Sequence, residues 1–241
     1  MVKRAGVQMD AGKVDESLEL FNEALGLDPD AADALLHRSN LKMLQQNAEE
    51  AQKDLERCLE VRPNHLLAQL RLATVLMAMN DIVGAKKCLD KAERIDPRSS
   101  EVHSYRGEMC FAQGEIEEAK KEFDKAIECE PSNPTPYVNA ALALMNTPSI
   151  AGLDVQGAID LLSKAIEVDP MFHAAYVHLG QLKLSMATNL TEAREVIELY
   201  DKGISHCRAA EELRDICSMR ILTVAQVDAA SSLGMETLNM R

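Results

Sequence analysis

Apolar and small residues recur along this chain with a long, regular period. In five segments a large apolar residue and a small residue stand eight and five positions before a proline, as in Phe21/Ala24, Leu55/Cys58, Leu89/Ala92, Phe123/Ala126 and Leu162/Ala165. The first four of these prolines, Pro29, Pro63, Pro97 and Pro131, are each 34 residues apart, and Pro170 follows after 39. Residues three apart share one face of a helix, and proline ends a helix. The pattern therefore predicts a helix that recurs with this period and stops at each proline.

A second set of small residues predicts close contact between paired helices. Four positions before each large apolar residue stand Ser17, Ala51, Ala85, Ala119 and Ala158, and a preceding helix carries Ser39, Ala73, Gly107, Ala141 and Gly180. Turn residues separate the two helices at Gly12-Lys13, Gln46-Asn47, Asn80-Asp81 and Gly114-Glu115. Each unit is thus helix A, a short turn and helix B. A period of 34 residues is typical of tetratricopeptide repeats, so we predict an all-α solenoid, a right-handed superhelix of antiparallel helix pairs with a C-terminal capping helix.

The repeat register also predicts the boundaries of the units. We expect one array over residues 1–235 followed by a tail at 233–241, with extra residues in the fifth unit near 146–154. The predicted segments are a partial repeat at 1–30, repeats at about 31–64, 65–98, 99–132, 133–171 and 172–207, and a capping helix at about 209–232. Because Met1 falls in the middle of the helix A pattern, we expect a piece of a longer protein.

Charge and composition exclude several classes of partner. The net charge of −13 disfavours nucleic acid, whose phosphates would be repelled. No stretch approaches the ~18 apolar residues of a membrane span, so we expect no membrane contact by this chain. The six cysteines contain no Cys-x-x-Cys pair and are interpreted as reduced, mostly packed thiols.

No catalytic or metal-binding pattern is present in the sequence. His173 and His178 are five residues apart, a poor spacing for two ligands on one helical face. Glu49-Glu50 and Glu117-Glu118 fall early in helix B, where acidic residues favour the positive end of the helix dipole. We therefore expect a protein that is not an enzyme and that uses no cofactor and no metal.

The candidate functional residues lie on helix A, which lines the concave side of a tetratricopeptide array. They are mainly apolar and rich in methionine, which suits a groove that accepts varied apolar segments of a partner. The alternative is that they pack under the final helix or against neighbouring helices. The predicted peptide-binding set is Asn40, Met43, Leu70, Thr74, Met77, Glu101, Glu108, Phe111, Val138, Leu142, Met145, Gln181 and Leu184.

A carboxylate clamp for chaperone C-termini is not predicted. Such a clamp needs cationic donors on helix A, because its ligand is a carboxylate. Asn40 and Arg71 occupy two suitable positions, but Leu36 and Glu101 stand where basic residues are needed.

The second repeat goes beyond the generic pattern. Its sequence resembles the C-terminal half of the large tetratricopeptide preprotein receptor of the mitochondrial outer-membrane translocase. The residues that carry the resemblance are His37-Arg38, Leu41-Lys42, Leu44, Glu49-Glu50-Ala51, Asp54, Cys58, Arg62-Pro63 and Leu67-Ala68-Gln69. Further similarity lies in Pro136-Tyr137-Val138, the segment 162–169, Ala175-Tyr176 before Gly180, and the last helix with Cys217 and Ala225.

The resemblance implies a receptor on the cytosolic face of the mitochondrial outer membrane. It implies that a precursor's targeting segment binds in the groove, and that the partners are mitochondrial precursor proteins and other translocase subunits. Chaperones would bind only an upstream clamp domain. Two alternatives stay open: a general scaffold or co-chaperone adaptor that mediates protein assembly, and the tetratricopeptide arm of a larger enzyme.

Overall fold

The computed structural model describes residues 2–10, 12–146 and 154–233. This part of the chain contains helices and no β-strand, in agreement with the predicted fold class. The thirteen described helices are α1 (Val2–Asp10), α2 (Val14–Leu27), α3 (Ala32–Leu44), α4 (Ala48–Val61), α5 (Leu66–Ala78), α6 (Ile82–Ile95), α7 (Ser100–Ala112), α8 (Ile116–Cys129), α9 (Pro134–Met145), α10 (Val155–Val168), α11 (His173–Met186), α12 (Leu190–His206) and α13 (Ala210–Ser232). Most of the extra segment expected in the fifth unit, residues 147–153, and most of the tail, residues 234–241, lie outside the described residues.

The helices form two compact units that divide between residues 109 and 110, inside α7. In the first unit α1 packs on α2, α3 on α4 and α5 on α6, and each pair also contacts the next. In the second unit α9 packs on α8 and α10, α11 on α10 and α12, and α13 on α11 and α12. Sequential helices joined by short turns must run antiparallel, so each pair is a helical hairpin.

The turns within the hairpins repeat one backbone geometry. Gly12, Gln46, Asn80 and Gly114 have φ angles of 73°, 60°, 63° and 77°. This left-handed conformation closes the C-terminus of a helix, and glycine and asparagine adopt it most readily. The next helix then begins at once, and the side chains of Asn47 and Asp81 accept hydrogen bonds from its free backbone N–H groups. The predicted turns are therefore confirmed, including the one that needs Gln46 in a strained region.

The small residues predicted at helix contacts are all buried. Ser17, Ala51, Ala85, Ala119 and Ala158 have no exposed surface. Ser17 also donates a hydrogen bond across the α1–α2 contact to the carbonyl oxygen of Ala5, at 2.8 Å. A larger side chain at any of these positions would separate the paired helices, because interiors are close-packed.

In the second unit, two tyrosine rings lie directly against the backbone of the facing helix. The Tyr200 ring of α12 lies against the backbone of α11 at Gly180, and the Tyr176 ring of α11 lies against α12 at Gly203. Both tyrosines are almost completely buried, and burial raises the pKa of Tyr200 to about 12. The end of the unit is covered by α13, which buries Ile216, Val227 and Ala230.

None of the described helices combines the length and the apolar character that a membrane span requires.

We predict opposite effects for two glycine-to-alanine substitutions. In Gly180→Ala the new methyl group overlaps the Tyr200 ring, which itself has no room to move, so the loss of stability should be about 1–3 kcal/mol. In the control Gly26→Ala no atom lies within 4 Å of the new methyl group, and removing a helical glycine should stabilise the protein by about 0.5–1 kcal/mol. Urea unfolding followed by circular dichroism measures both. Equal effects of the two substitutions would contradict the packing described here.

Candidate peptide-binding surface

A pocket of about 310 Å³ opens between α3 and α5 in the first unit. It brings together three residues of the predicted binding set, Asn40, Met43 and Thr74. All three are half-buried, and the Thr74 hydroxyl donates to the Leu70 carbonyl oxygen of its own helix at 3.2 Å, so its oxygen can still accept a hydrogen bond. The pocket is a mixed surface of methionine, aliphatic side chains and a few polar groups, as is usual for ligand sites.

Arg71 also lines this pocket and lacks a partner. Its Nε atom is buried without a hydrogen-bond acceptor, and it forms no ion pair within the described residues. No acidic side chain is among the described residues around the pocket. The enclosed Nε carries a free-energy cost in the protein itself, and the terminal guanidinium nitrogens are the donors that a ligand oxygen in the pocket would meet.

Two members of the predicted set are core residues. Leu70 has no exposed surface and Val138 has 4%, and both belong to hydrophobic clusters of their units. Their helices place them against neighbouring helices, so they support the surface from behind and have nothing to offer a ligand. The binding set therefore loses these two residues.

Three other predicted residues of the first unit lie near the pocket in sequence but do not line it. Met77 is half-buried and packs against the core of the unit. Glu101 is exposed, and it lines a separate, shallow depression of about 670 Å³ together with the exposed Leu67. Glu108 is exposed but already interacts with a neighbouring group.

In the second unit, three predicted residues are half-buried on its inner packing layers. Phe111 packs against the cluster that contains Phe123. Leu142 and Met145 of α9 pack against the larger core of the unit and keep part of their surface exposed. Each side chain can contribute apolar surface to a contact, but only through the part that the core does not cover.

The last helix packs beside α11 and contacts one of the predicted residues there. Gln181 donates from Nε2 to the Met219 sulfur of α13 at 3.5 Å, and Leu184 is half-buried against the core. A pocket of only about 270 Å³ remains between α11 and α13, lined in part by Val177, His178 and Met219. Burial there lowers the pKa of His178, so the imidazole is neutral at pH 7. Gln181 is thus exposed, and its one contact to the last helix leaves it accessible at the surface.

In the second repeat, some of the residues that resemble the import receptor form a buried ion cluster. Asp54 of α4 is 4% exposed and accepts two hydrogen bonds from Arg38 of α3, at 2.8 Å from Nε and 2.6 Å from Nη2. Lys42 adds a third contact to the same carboxylate at 2.9 Å, and Arg38 also reaches Asn22 of α2 at 2.9 Å. Bidentate arginine–carboxylate pairs are geometrically specific. This ion cluster therefore ties three consecutive helices together and does not face the pocket.

Within the described ranges, no group of three histidine, cysteine, aspartate or glutamate side chains is placed to hold a metal ion. The polar groups of the pocket instead offer donors to an oxygen-rich ligand such as a polypeptide backbone.

Comparison with known proteins supports both the fold and the receptor resemblance. The family model described as a tetratricopeptide repeat-like domain matches residues 1–146. The human mitochondrial import receptor subunit TOM70 is 28% identical over 243 residues, which cover 98% of this chain and 39% of that protein. The chain thus spans about two-fifths of the length of this curated relative. The similarity to the receptor, inferred from the second repeat, is confirmed.

Two solved structures show the same fold. The crystal structure of yeast Tom70 superposes with a TM-score of 0.75 at 24% identity and covers 95% of this chain and 47% of that one. A tetratricopeptide repeat protein from Parabacteroides merdae superposes with a TM-score of 0.70 at 18% identity, over 91% of this chain and 82% of that one.

We predict that the ion cluster contributes stability that a surface ion pair does not. Asp54→Ala leaves Arg38 and Lys42 without their buried partner and should cost about 3–5 kcal/mol. The control Asp30→Ala removes a carboxylate that is about half exposed and pairs with Arg57, so its cost should stay below about 1 kcal/mol. Chemical denaturation checks the difference, and a loss below 1 kcal/mol for Asp54→Ala would disprove it.

Proposed function

Since the chain belongs to the tetratricopeptide repeat-like family, we propose that it is the polypeptide-binding part of a mitochondrial import receptor. The similarity to TOM70 over nearly the whole chain supports the receptor role. The observation that carries the binding proposal is the pocket in which Asn40, Met43 and Thr74 meet the unpaired Arg71. The ligand is the targeting segment of a precursor protein.

The apolar part of the segment contacts methionine side chains. Met43 lines the pocket and Met77, on the next helix A, is half-buried beside the same core. Methionine is unbranched and polarizable, so it adapts to leucine, phenylalanine or valine with little loss of packing. A receptor for many precursors needs this tolerance, because their targeting segments share an amphipathic pattern and not a sequence.

The polar part of the pocket holds the backbone of the segment. The Arg71 guanidinium and the Asn40 amide are donors, and neither is engaged within the described residues. Carbonyl oxygens of a peptide would accept from both without any requirement on the side chains. This arrangement supplies affinity through the main chain and leaves selectivity to the apolar contacts.

The acidic charge of the chain attracts the basic residues of a targeting segment. The chain carries a net charge of −13, and Glu101 is exposed beside Leu67 at the edge of the α4–α5 turn. A negative surface of this kind raises the encounter rate of cationic ligands and weakens with salt.

In the second unit, we propose that Phe111, Leu142 and Met145 form a further apolar contact surface. Their partial exposure allows contact with a segment, and Gln181 and Leu184 of α11 also keep exposed surface beside α13. The repeats at 1–235 are proposed to act as one array in the longer receptor.

Binding of this kind should be weak and reversible. Burial of about 400 Å² of apolar surface yields roughly 10 kcal/mol at ~25 cal/mol/Å², before the cost of ordering the segment. After that cost, a dissociation constant in the micromolar range is expected, which lets a receptor release its cargo. We propose that the whole protein acts on the cytosolic face of the mitochondrial outer membrane and passes precursors to other translocase subunits.

The test is a titration of the chain with fluorescein-labelled targeting peptides, one amphipathic presequence and one carrier-type apolar segment. We expect saturable, micromolar binding, and Met43→Asp, Met77→Asp and Leu142→Asp should each weaken it at least about tenfold, equivalent to about 1.4 kcal/mol. A charged group in an apolar contact must be desolvated without a partner, which is the reason for the loss.

Met171→Asp is the matched control, because Met171 is 39% exposed in a turn outside the proposed surface. The affinity of the Met171→Asp protein for both peptides should equal that of the unsubstituted protein. Absence of saturable binding, or the same peptide affinity for all four variants, would contradict the proposed binding surface. Capture of folded complex subunits in place of precursors would favour the scaffold alternative.

A further inference from the structure

The last helix, α13, has an apolar outer face that is open to solvent. Its inner face buries Ile216, Thr223 and Val227, and the helix packs on α11 and α12. On the opposite side, the side chains of Ile221 and Leu222 are 64% and 57% exposed. A helix that ends a repeat array normally presents a polar outer face, because no further repeat covers it. The outer face of α13 departs from this rule.

The neighbouring helix α12 shows the usual composition of such a face. Its exposed residues include Arg194, Glu195, Glu198 and Lys202. The C-terminal half of α13, residues 221–232, contains a single charged residue. Contiguous exposed apolar side chains of this kind are typical of a surface that contacts another molecule.

The exposed residues of α13 follow the spacing of a coiled coil. Positions that alternate three and four apart form one stripe along a helix, and this stripe is the contact seam between two paired helices. In α13 the exposed residues at this spacing are Arg214, Ser218, Ile221, Ala225, Asp228 and Ser232. The small side chains of Ser218 and Ala225 flank Ile221 and allow a second helix to approach closely. Leu222 and Ala229 lie beside the stripe and widen its apolar part.

The two charged residues of the stripe are placed symmetrically about its centre. Arg214 and Asp228 each stand seven positions from Ile221. Neither side chain forms an ion pair within the described residues. If two copies of α13 pack antiparallel about Ile221, Arg214 of each copy meets Asp228 of the other. A parallel arrangement would place each charge against its like, which is repulsive, so the charges fit a second copy in the antiparallel orientation.

A membrane surface fits this face less well. Helices that lie on anionic lipids carry several lysine or arginine residues beside their apolar side chains. Arg214 is the only basic residue of the stripe, and Asp228 offsets its charge. Electrostatic attraction to anionic lipid is therefore absent from this face.

We propose that the chain forms a weak symmetric homodimer through the outer face of α13. The two helices pack antiparallel with Ile221 at the two-fold axis, Ser218 of one copy facing Ala225 of the other, and an Arg214–Asp228 ion pair at each end. Such an interface is the same patch on both copies, so the assembly stops at two. A single helix pair buries on the order of 1,000 Å² in total, the lower limit of specific interfaces, so we expect a dissociation constant of about 10–100 μM.

This dimer does not depend on the proposed binding of targeting segments. The pocket between α3 and α5 contains no residue of α13. Met43→Asp should therefore leave dimerisation unchanged, and failure of the peptide-binding surface and failure of the dimer are distinguishable.

Sedimentation velocity of the 241-residue chain tests the proposal. Between about 5 and 500 μM, the weight-average mass should rise from that of the 26.6 kDa monomer toward twice that value. A mass that stays at the monomer value over this range would overturn the proposal. Monomeric chain that binds vesicles of phosphatidylcholine and phosphatidylserine would likewise overturn it and assign the face to lipid.

Ile221→Asp places a charge at the centre of the contact. It should raise the dissociation constant of the dimer at least about tenfold, because the carboxylate is desolvated against its own symmetry mate. Ile221 is exposed in the monomer, so the variant should fold, and circular dichroism checks this. The matched control is Val83→Asp, at a position of α6 that is 67% exposed, and it should dimerise like the unsubstituted chain. Equal dimerisation of the Ile221→Asp and Val83→Asp proteins would contradict the interface.

A charge exchange tests the antiparallel ion pairs. Arg214→Asp and Asp228→Arg alone each bring like charges together and should each weaken the dimer at least about fivefold, whereas the double variant should restore it to within about twofold. Arg194→Asp on the exposed face of α12 changes the net charge as Arg214→Asp does and should have no effect. Absence of restoration in the double variant, or an equal loss in Arg194→Asp, would reject the arrangement.

Discussion

The structure depends on the close approach of paired helices at small residues. Ser17, Ala51, Ala85, Ala119 and Ala158 are fully buried at 34- to 39-residue intervals, and in the second unit tyrosine rings touch the helix backbone at Gly180 and Gly203. When two helices meet this closely, their large side chains are displaced to the contacts with the next hairpin. The other side chains of helix A are partly covered by neighbouring helices and partly exposed. The methionines of the candidate surface are therefore half-buried, and they do not form an open apolar face.

α5 carries unpaired polar groups on two faces, and the two differ in their surroundings. Arg71 lies among methionine and aliphatic side chains with no acid nearby, which suits the carbonyl oxygens of an apolar segment. Gln69 lies beside an aliphatic crevice whose rim carries both cations, Lys91 and Arg94, and carboxylates, Glu56 and Glu60. The two groups lie on different faces of α5, because residues two apart on a helix point in different directions.

The ion cluster around Asp54 consists of residues that resemble the import receptor but do not line the pocket between α3 and α5. Arg38, Lys42 and Asp54 belong to the string that most resembles the import receptor, yet they face each other between α3 and α4. Their role is to orient three helices, and a buried ion network restricts the alternative arrangements of a hairpin. A run of similar residues can therefore identify a relative correctly through helix packing alone.

The sequence by itself determined the repeat, the hairpins and their turns, because small residues, left-handed turn positions and prolines act through local backbone geometry and appear directly in the spacing. Gln46 and Asn80 adopt positive φ where turns were predicted, and the predicted contact residues are buried. Only the tertiary structure decided which helix A positions stay accessible. Leu70 and Val138 lie in the cores, whereas Gln181 stays exposed although it contacts Met219, 38 residues away. Accessibility depends on which distant helix covers a face, and helical periodicity contains no information about that neighbour.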